Sequence, residues 1–166
     1  MYSRSPDADV PAARRRRRLA VAIGASLREL AIQLSLLNHQ VGSQLELRDV
    51  DLDCLDLIDR YGPLSPSALA RRAGLHPATM TGILDRLEGG GWIARDRDPS
   101  DRRAVLLRVQ RDRVPDLLRL YAGMNRGMNE IYAGYDEKEL ELIADFLHRT
   151  ADAGRSATDE LSVGSG

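Results

Sequence analysis

The residues best suited to catalysis are few and widely separated in this chain. The three histidines, His39, His76 and His148, fall in different segments, and Cys54 is the only cysteine. We find no nucleophile motif, no glycine-rich phosphate loop followed by lysine, and no metal-ligand spacing. The pattern argues against an enzyme and against a cofactor. A structural zinc ion held by scattered histidine and aspartate side chains is the alternative.

Arginine side chains are concentrated in the middle third of the chain. Residues 60–113 hold 11 basic and 6 acidic side chains, whereas residues 114–166 hold 5 and 10. A net charge of +5 beside one of −5 would draw phosphate groups to the middle third. This distribution indicates a protein that binds double-stranded DNA. An arginine-rich surface that merely keeps the chain soluble is the alternative.

Two short helices joined by a glycine-containing turn are predicted to position these charges. Ser65 followed by Pro66 is a typical helix start, and His76 followed by Pro77 is a second one. Apolar residues at helical spacing form the buried face of the second helix, namely Met80, Ile83, Leu84 and Leu87. Its opposite face is small and polar, which lets a helix approach base edges in the major groove. The pattern is typical of a helix-turn-helix.

A β-hairpin is predicted directly after the second helix. Glycines at 89–91 end that helix, residues 92–95 and 104–109 form strands, and the segment 98–101 (DPSD) is typical of a turn. Four arginines crowd the tip and edges of the hairpin: Arg95, Arg97, Arg102 and Arg103. Arginine at the tip of such a wing suits a narrow minor groove, where the potential is most negative.

Apolar helices are predicted on both sides of this unit. A long helix over 19–41, ended by Gly42 and Ser43, is apolar on more than one side, which favours contact with a second chain. A helix over 48–61 follows it, and two more are expected over 114–133 and 137–153. The basic run Arg14 to Arg18 is either an arm that touches DNA or a solvated helix turn, and we favour the turn.

The predicted fold class is mainly α with a small β-hairpin wing, in a chain of 166 residues that fits one compact unit with a helical extension. No uninterrupted apolar run approaches the ~20 residues that span a bilayer, and no signal peptide is evident, so a cytoplasmic protein is expected. The expected parts are a winged helix-turn-helix domain at 48–113, dimerisation helices at 14–47 and 114–153, and flexible tails at 1–13 and 154–166.

The order of elements, together with the sequence LDRLEGGGWIARDRDPSDRRAVLLRV over residues 84–109, resembles the MarR family of winged helix-turn-helix regulators. The resemblance covers roughly residues 18–153. It implies a homodimer that binds a pseudo-palindromic operator, commonly as a repressor that a small, often phenolic, ligand releases. Redox-sensing members carry a cysteine near the start of the first helix, and this chain has none there. The alternatives are a ligand-independent regulator and a winged-helix protein–protein adaptor.

The resemblance also implies where this chain would contact DNA. The second helix would enter the major groove and Arg102 the minor groove, while Arg71, Arg72, Arg95 and Arg97 would contact phosphates. In the family the counterpart of Arg103 is often held by an acidic residue near the start of the recognition helix, a place taken here by His76. Asp98 or Asp101 would then hold Arg103. The full set is Ser65, Arg71, Arg72, His76, Pro77, Ala78, Thr79, Thr81, Gly82, Arg86, Arg95, Arg97, Arg102 and Arg103.

Two further expectations concern ligands and the cysteine. A small aromatic effector would bind between the first, second and fifth helices, and its polar candidates are Asn38, His39, Arg48 and Tyr121. Cys54 lies among aspartates, which raise the pKa of a thiol and oppose a redox role. A single cysteine also excludes an internal disulfide.

Overall fold

The computed structural model describes residues 9–97, 101 and 104–163. Seven α-helices, two strands and a single 3-10 turn occupy this part of the chain. The elements are α1 (Asp9–Leu45), α2 (Asp49–Tyr61), α3 (Pro66–Ala73), α4 (Pro77–Gly89), β1 (Ile93–Arg97), β2 (Val105–Val109), a 3-10 turn (Arg111–Arg113), α5 (Val114–Leu120), α6 (Ala122–Tyr132) and α7 (Glu137–Val163). The structure confirms the predicted fold class, a mainly helical chain with a two-stranded hairpin.

The hydrophobic core lies in the winged domain. Its central side chains come from α2, α3, α4 and the hairpin, and Leu69, Leu87 and Leu107 are completely buried. Most of the core residues are aliphatic, and Trp92 at the start of the hairpin is the one large aromatic side chain among those the structure describes as buried. Because these side chains come from every element of the domain, one core fixes the position of α4 relative to the wing.

Local sequence signals explain how α3 and α4 begin and end. The Ser65 hydroxyl accepts a hydrogen bond from the Ala68 amide at 3.2 Å, and Pro66 occupies the first turn of α3. Gly74 ends α3 in the left-handed conformation, with φ of 64°, which a side chain would disfavour. The predicted helix-turn-helix is therefore formed by the capping residues that the sequence indicates.

The hairpin is a regular antiparallel pair attached to the helical domain. Ile93 faces Val109 at one end of the ladder, and Arg97 faces Val105 at the other. An isolated bridge joins Leu64, just before α3, to Leu107 at the centre of β2. This bridge holds the hairpin against the loop that precedes the helix-turn-helix. The predicted turn residues 98–100 lie outside the described residues, as do Arg102 and Arg103.

Two predicted boundaries of the first helix are wrong. The helix does not end at Gly42 but continues to Leu45, and the chain then reverses through Glu46, whose φ is 57°. Gly42 serves this reversal, because a Cβ on it would lie 2.6 Å from the carbonyl oxygen of Leu47. At the other end α1 starts at Asp9, so part of the expected N-terminal tail is helical.

The C-terminal helices also differ from their prediction. The helix expected over 114–133 is divided at Tyr121 into α5 and α6. The expected flexible tail is instead helical through Val163, so the boundary predicted at 153 is wrong. Polar side chains sustain this extension: Arg155 pairs with Asp152, and the Thr158 hydroxyl donates to the Gly154 carbonyl at 3.0 Å. Hydrogen bonds and ion pairs between side chains can stabilise a polar helix that has no buried apolar face.

Helices α1, α6 and α7 leave large apolar side chains exposed. In α1, Leu19, Ile32 and Leu36 are each more than half exposed, and in α7 Leu142 is 70% exposed. By length and composition alone, the segment Pro11–Leu45 could cross a membrane. Arg28 and Glu29 lie within this segment, so it is not an uninterrupted apolar run. A helix this apolar and exposed requires a covering partner.

Candidate nucleic-acid interface

Helix α4 presents a small, open face on the surface of the domain. Met80, Ile83, Leu84 and Leu87 are buried, as their spacing predicts. On the other side Ala78, Thr79 and Thr81 are exposed, and Gly82 has no neighbour close enough to hinder a side chain. Small side chains and two hydroxyl groups therefore form the outermost surface of the helix. Such a surface can approach the edges of bases closely and exchange hydrogen bonds with them.

His76 caps the N-terminus of α4. Its Nδ1 accepts a hydrogen bond from the backbone amide of Ala78 at 3.2 Å, while the ring is exposed. Nδ1 accepts this bond through its lone pair, in the place that a serine or aspartate oxygen takes in other helices. The sequence identified a helix start here through Pro77 but did not indicate that the histidine itself would be the cap.

Arg86 turns away from the exposed face of α4 and binds a buried carboxylate on α2. Its Nε and Nη2 donate to the two oxygens of Asp51 at 3.0 and 2.7 Å. Asp51 is completely buried and also accepts a hydrogen bond from the Arg48 amide at 3.0 Å. Hydrogen bonding to Asp51 raises the pKa of Arg86. The ion pair with Arg86 compensates the charge of this buried carboxylate.

Arg95 joins the wing to the recognition helix. It lies on β1, and its guanidinium contacts Asp85 at 2.5 Å and Glu88 at 3.3 Å, both on α4. Arg108 pairs with Asp96 on the neighbouring strand at 3.1 Å. Arg97, at the far end of β1, is exposed. Arg95 and Arg108 therefore stabilise the hairpin and its attachment to α4, while Arg102 and Arg103 lie outside the described residues.

The arginines of α3 lie at the surface beside the helix-turn-helix. Arg71 and Arg72 are both exposed. The guanidinium carbon of Arg72 lies 4.3 Å from the centroid of the Tyr61 ring, a cation–π contact that holds it at the end of α2. This contact leaves Arg72 exposed, so the guanidinium groups of both arginines can reach a phosphate group.

A cavity of about 400 Å³ lies between α1, α2, α5 and the base of the hairpin. Asn38 and Tyr121 line it, and the Tyr121 hydroxyl donates a hydrogen bond to Asn38 Oδ1 at 2.7 Å. His39 and Arg48, the other two expected pocket residues, are not among the lining residues. His39 instead lies 3.3 Å from Asp49 at the surface, and the Arg48 backbone caps α2.

The sequence did not point to the acidic side of this cavity. Asp53, Asp56 and Asp59 line it from α2, at intervals of three residues that place them on one side of a helix. The three-residue spacing of these aspartates is a signal in the sequence from which the acidic side could have been predicted. The apolar lining comes from α2, α5 and the hairpin: Leu52, Leu55, Trp92, Val109, Val114, Leu117 and Leu118.

Cys54 is buried at the back of α2. Its thiol has no exposed surface, and burial, followed by the charges of Asp53 and Asp51, raises its pKa to about 11. The predicted direction of the shift is confirmed. Within residues 9–97, 101 and 104–163, no group of three or more histidine, cysteine or acidic side chains is placed to hold a metal ion.

Helices α3 and α4, joined by a short turn and followed by a β-hairpin, form a winged helix-turn-helix. Proteins of this class bind double-stranded DNA. The sequence model of the MarR family matches residues 47–105. The HTH-type transcriptional regulator YcgE of Bacillus subtilis is 33% identical over 148 residues, which cover 82% of this chain and 94% of that protein. The chain belongs to the MarR family of transcriptional regulators and is not an enzyme.

Solved structures agree in fold. The MepR protein of S. aureus, in a mutant form, superposes with a TM-score of 0.69 at 14% identity, covering 79% of this chain and 96% of that one. The regulator Tm0710 of Thermotoga maritima gives a TM-score of 0.58 at 23% identity, covering 83% and 97%. At these identities the similarity concerns the fold alone. It extends beyond the winged domain into the flanking helices, since it covers about four fifths of the chain.

Proposed function

We propose that this protein is a homodimeric, cytoplasmic repressor that binds a pseudo-palindromic DNA operator and is released from it by a small ligand. The observation that carries the proposal is the exposed face of α4, which is small, uncharged and flanked by arginine-bearing elements. DNA binding and transcriptional regulation follow from membership of the family. The dimer, the operator symmetry and the effector rest on the arguments below.

Dimerisation is supported by the unpaired apolar surfaces outside the winged domain. The exposed apolar side chains of α1, α6 and α7 lie on helices that pack little against the core. Two copies that cover these surfaces mutually would bury them without any further protein. This pairing also accounts for the apolarity of α1 without a membrane. The proposed division is a winged domain at 48–113 between dimerisation regions.

The proposed DNA contacts fall into two groups. Thr79 and Thr81, with the small residues around them, would meet base edges in the major groove and determine sequence choice. Pro77, Ala78 and Gly82 are these small residues. The remaining proposed contacts position the protein on the sugar–phosphate backbone or in the minor groove: Ser65, Arg71, Arg72, His76, Arg95, Arg97, Arg102 and Arg103. Arg86 remains in the proposed set only through its Nη1, because Asp51 engages its other two nitrogens.

Release by a ligand is supported by the location of the cavity. Its walls come from α1, on the dimerisation side, and from α2 and the hairpin base, on the DNA-binding side. The Tyr121–Asn38 hydrogen bond joins α1 to the junction of α5 and α6 at this cavity. A ligand that separates α1 from α2 and the hairpin would change the angle between the two winged domains, and hence the spacing of the two α4 helices on DNA.

The variant Arg102→Ala tests the wing in this proposal. We expect it to weaken operator binding in a fluorescence anisotropy titration by roughly tenfold or more, with unchanged thermal unfolding, because a minor-groove arginine contributes on the order of 1–3 kcal/mol. Arg126→Ala, on α6, is a control of equal charge change away from the wing. Equal operator affinity of the two variants would show that the wing tip does not contact DNA.

A further inference from the structure

The cavity beside Tyr121 is acidic on one side. Asp53, Asp56 and Asp59 project from α2 toward it, and among its described lining residues there is no lysine, arginine or histidine. The family resemblance leads one to expect phenolic or acidic aromatic effectors, which are neutral or negatively charged. A carboxylate ligand entering here would face three aspartates with no cation in the lining to receive it.

Neighbouring cations compensate these aspartates only in part. Arg111 lies 3.6 Å from Asp59, and the exposed Arg60 lies 3.8 Å from Asp56. Asp53 has no ion pair among the described contacts. The guanidinium of Arg113 is directed at the Trp92 ring, 4.4 Å from its centroid, and not at the aspartates. The acidic side of the cavity therefore keeps uncompensated negative charge nearest Asp53.

The pKa values of Asp53 and Tyr121, which both line the cavity, are raised by burial and by neighbouring aspartates. Burial raises the pKa of Asp53, and the charges of Asp49 and Asp56 raise it further. Burial likewise raises the pKa of the Tyr121 phenol, with added contributions from Asp56 and Asp53. The contributions of the neighbouring aspartates disfavour an additional negative charge in the cavity and favour a positive one, whereas burial disfavours a charge of either sign.

The opposite side of the cavity is apolar and aromatic. Trp92 is 2% exposed and shares the lining with Leu52, Leu117 and Tyr121. A volume of about 400 Å³ lies in the range of pockets that enclose small organic molecules. Aromatic rings also attract cations through their electron-rich faces. The cavity thus combines a surface for an apolar body with a surface for a positive charge.

We propose that this cavity binds an amphipathic organic cation, with its apolar body against Trp92 and Leu117 and its charge beside Asp53 and Asp56. This inference rests on the proposed function for the role of the cavity as an effector site, but it fixes the chemical class of the ligand independently. The class is a bulky aromatic monocation, in contrast to an aromatic acid.

The test uses two ions of nearly identical size and shape but opposite charge, tetraphenylphosphonium and tetraphenylborate. Trp92 is the only tryptophan of the chain, so its fluorescence reports on the cavity directly. We expect saturable quenching by tetraphenylphosphonium at concentrations at least tenfold below those at which tetraphenylborate acts. Equal or tighter binding of the borate would overturn the proposal.

Substitutions of the aspartates test which carboxylates bind the cation. The double variant D53N/D56N is expected to weaken tetraphenylphosphonium binding about tenfold, whereas Asp112→Asn, which removes an acidic side chain outside the lining, should leave it unchanged. If the double variant unfolds at a lower temperature, Asp53→Asn alone replaces it, with a smaller expected loss. Unchanged affinity in both Asp53 variants would contradict the proposal.

A parallel titration separates this inference from the proposed function. Quenching is measured without DNA, so it tests the cavity whether or not the ligand affects the operator. Anisotropy of labelled operator in the presence of tetraphenylphosphonium then tests release. Cation binding with undiminished DNA affinity would uphold the ligand class and contradict ligand release. Failure to bind the cation, with DNA binding intact, would contradict the ligand class alone.

Discussion

At the scale of single residues, Arg86 and Asp51 fix the position of the recognition helix. They lie 35 residues apart in the sequence, and their two hydrogen bonds connect α4 to α2 across the core. Asp51 is buried and Arg86 is about one third exposed. A buried carboxylate is tolerated only when its charge is compensated, so the pair couples the angle of α4 to the stability of the domain.

Removing the guanidinium should therefore destabilise the fold. Arg86→Ala leaves the Asp51 carboxylate buried with only the Arg48 amide as a donor, and we expect it to lower the free energy of unfolding by about 3–5 kcal/mol. Urea denaturation followed by circular dichroism measures this. Arg71→Ala, at an exposed position, should change stability by less than about 0.5 kcal/mol. Equal stability of the two variants would mean that the pair does not hold α4.

The positions of several individual side chains could not be predicted from the sequence. Helical spacing predicted the buried side of α4, but it placed Arg86 on the exposed side, because spacing records the direction of the Cα–Cβ bond and not where a long side chain ends. His76 was identified as a departure from the family, and only the structure shows that its Nδ1 caps α4. The Tyr121–Asn38 bond joins residues 83 apart, beyond any local signal.

At the scale of elements, the proposed function gives α4 and the α3 arginines different tasks on DNA. Hydroxyls on α4 would distinguish bases, whereas Arg71 would contact any phosphate equally well. This division follows from exposure: Thr79, Thr81 and Arg71 all reach solvent. The elements themselves were largely predictable, because proline, serine and glycine mark their ends. The reversal after Leu45 and the division at Tyr121 were not, since both depend on packing and not on a breaking residue.

Paired substitutions on these two helices should separate affinity from specificity. T79A/T81A is expected to reduce the ratio of operator to scrambled-DNA affinity by roughly 10-fold, with little change in the salt dependence. Arg71→Ala should weaken both affinities alike and reduce the slope of log affinity against log salt by about 1. Anisotropy at several salt concentrations gives both quantities. The assignment fails if the threonine variant keeps its full discrimination.

At the scale of the whole molecule, the described chain consists of a well-packed winged domain and helices whose apolar surfaces are uncovered. Most buried apolar residues come from the winged domain, whereas α6 contributes none, and Leu142 and Phe146 of α7 remain exposed. The long α7 extension adds to this uncovered surface. Such an arrangement is expected of a subunit whose second core forms only between two chains.

A charge placed on this uncovered surface should separate the chains. Leu142→Asp is expected to shift sedimentation from dimer to monomer at micromolar concentration, since a buried aspartate without a partner costs several kcal/mol. The neighbouring Glu141→Gln is the control and should remain dimeric. A Leu142→Asp protein that sediments as a dimer would exclude this part of α7 from the interface, and a monomeric control would show a general loss of stability.

Selection of bound sequences from random double-stranded DNA tests the central claim most directly. Two α4 helices related by a twofold axis should enrich an inverted repeat whose half-sites are centred about one helical turn apart, roughly 34 Å. A selection repeated with Thr79→Ala protein should lose preference at one position in each half-site. Enrichment of no sequence, or of a single site without twofold symmetry, would contradict a homodimeric, sequence-specific DNA-binding regulator.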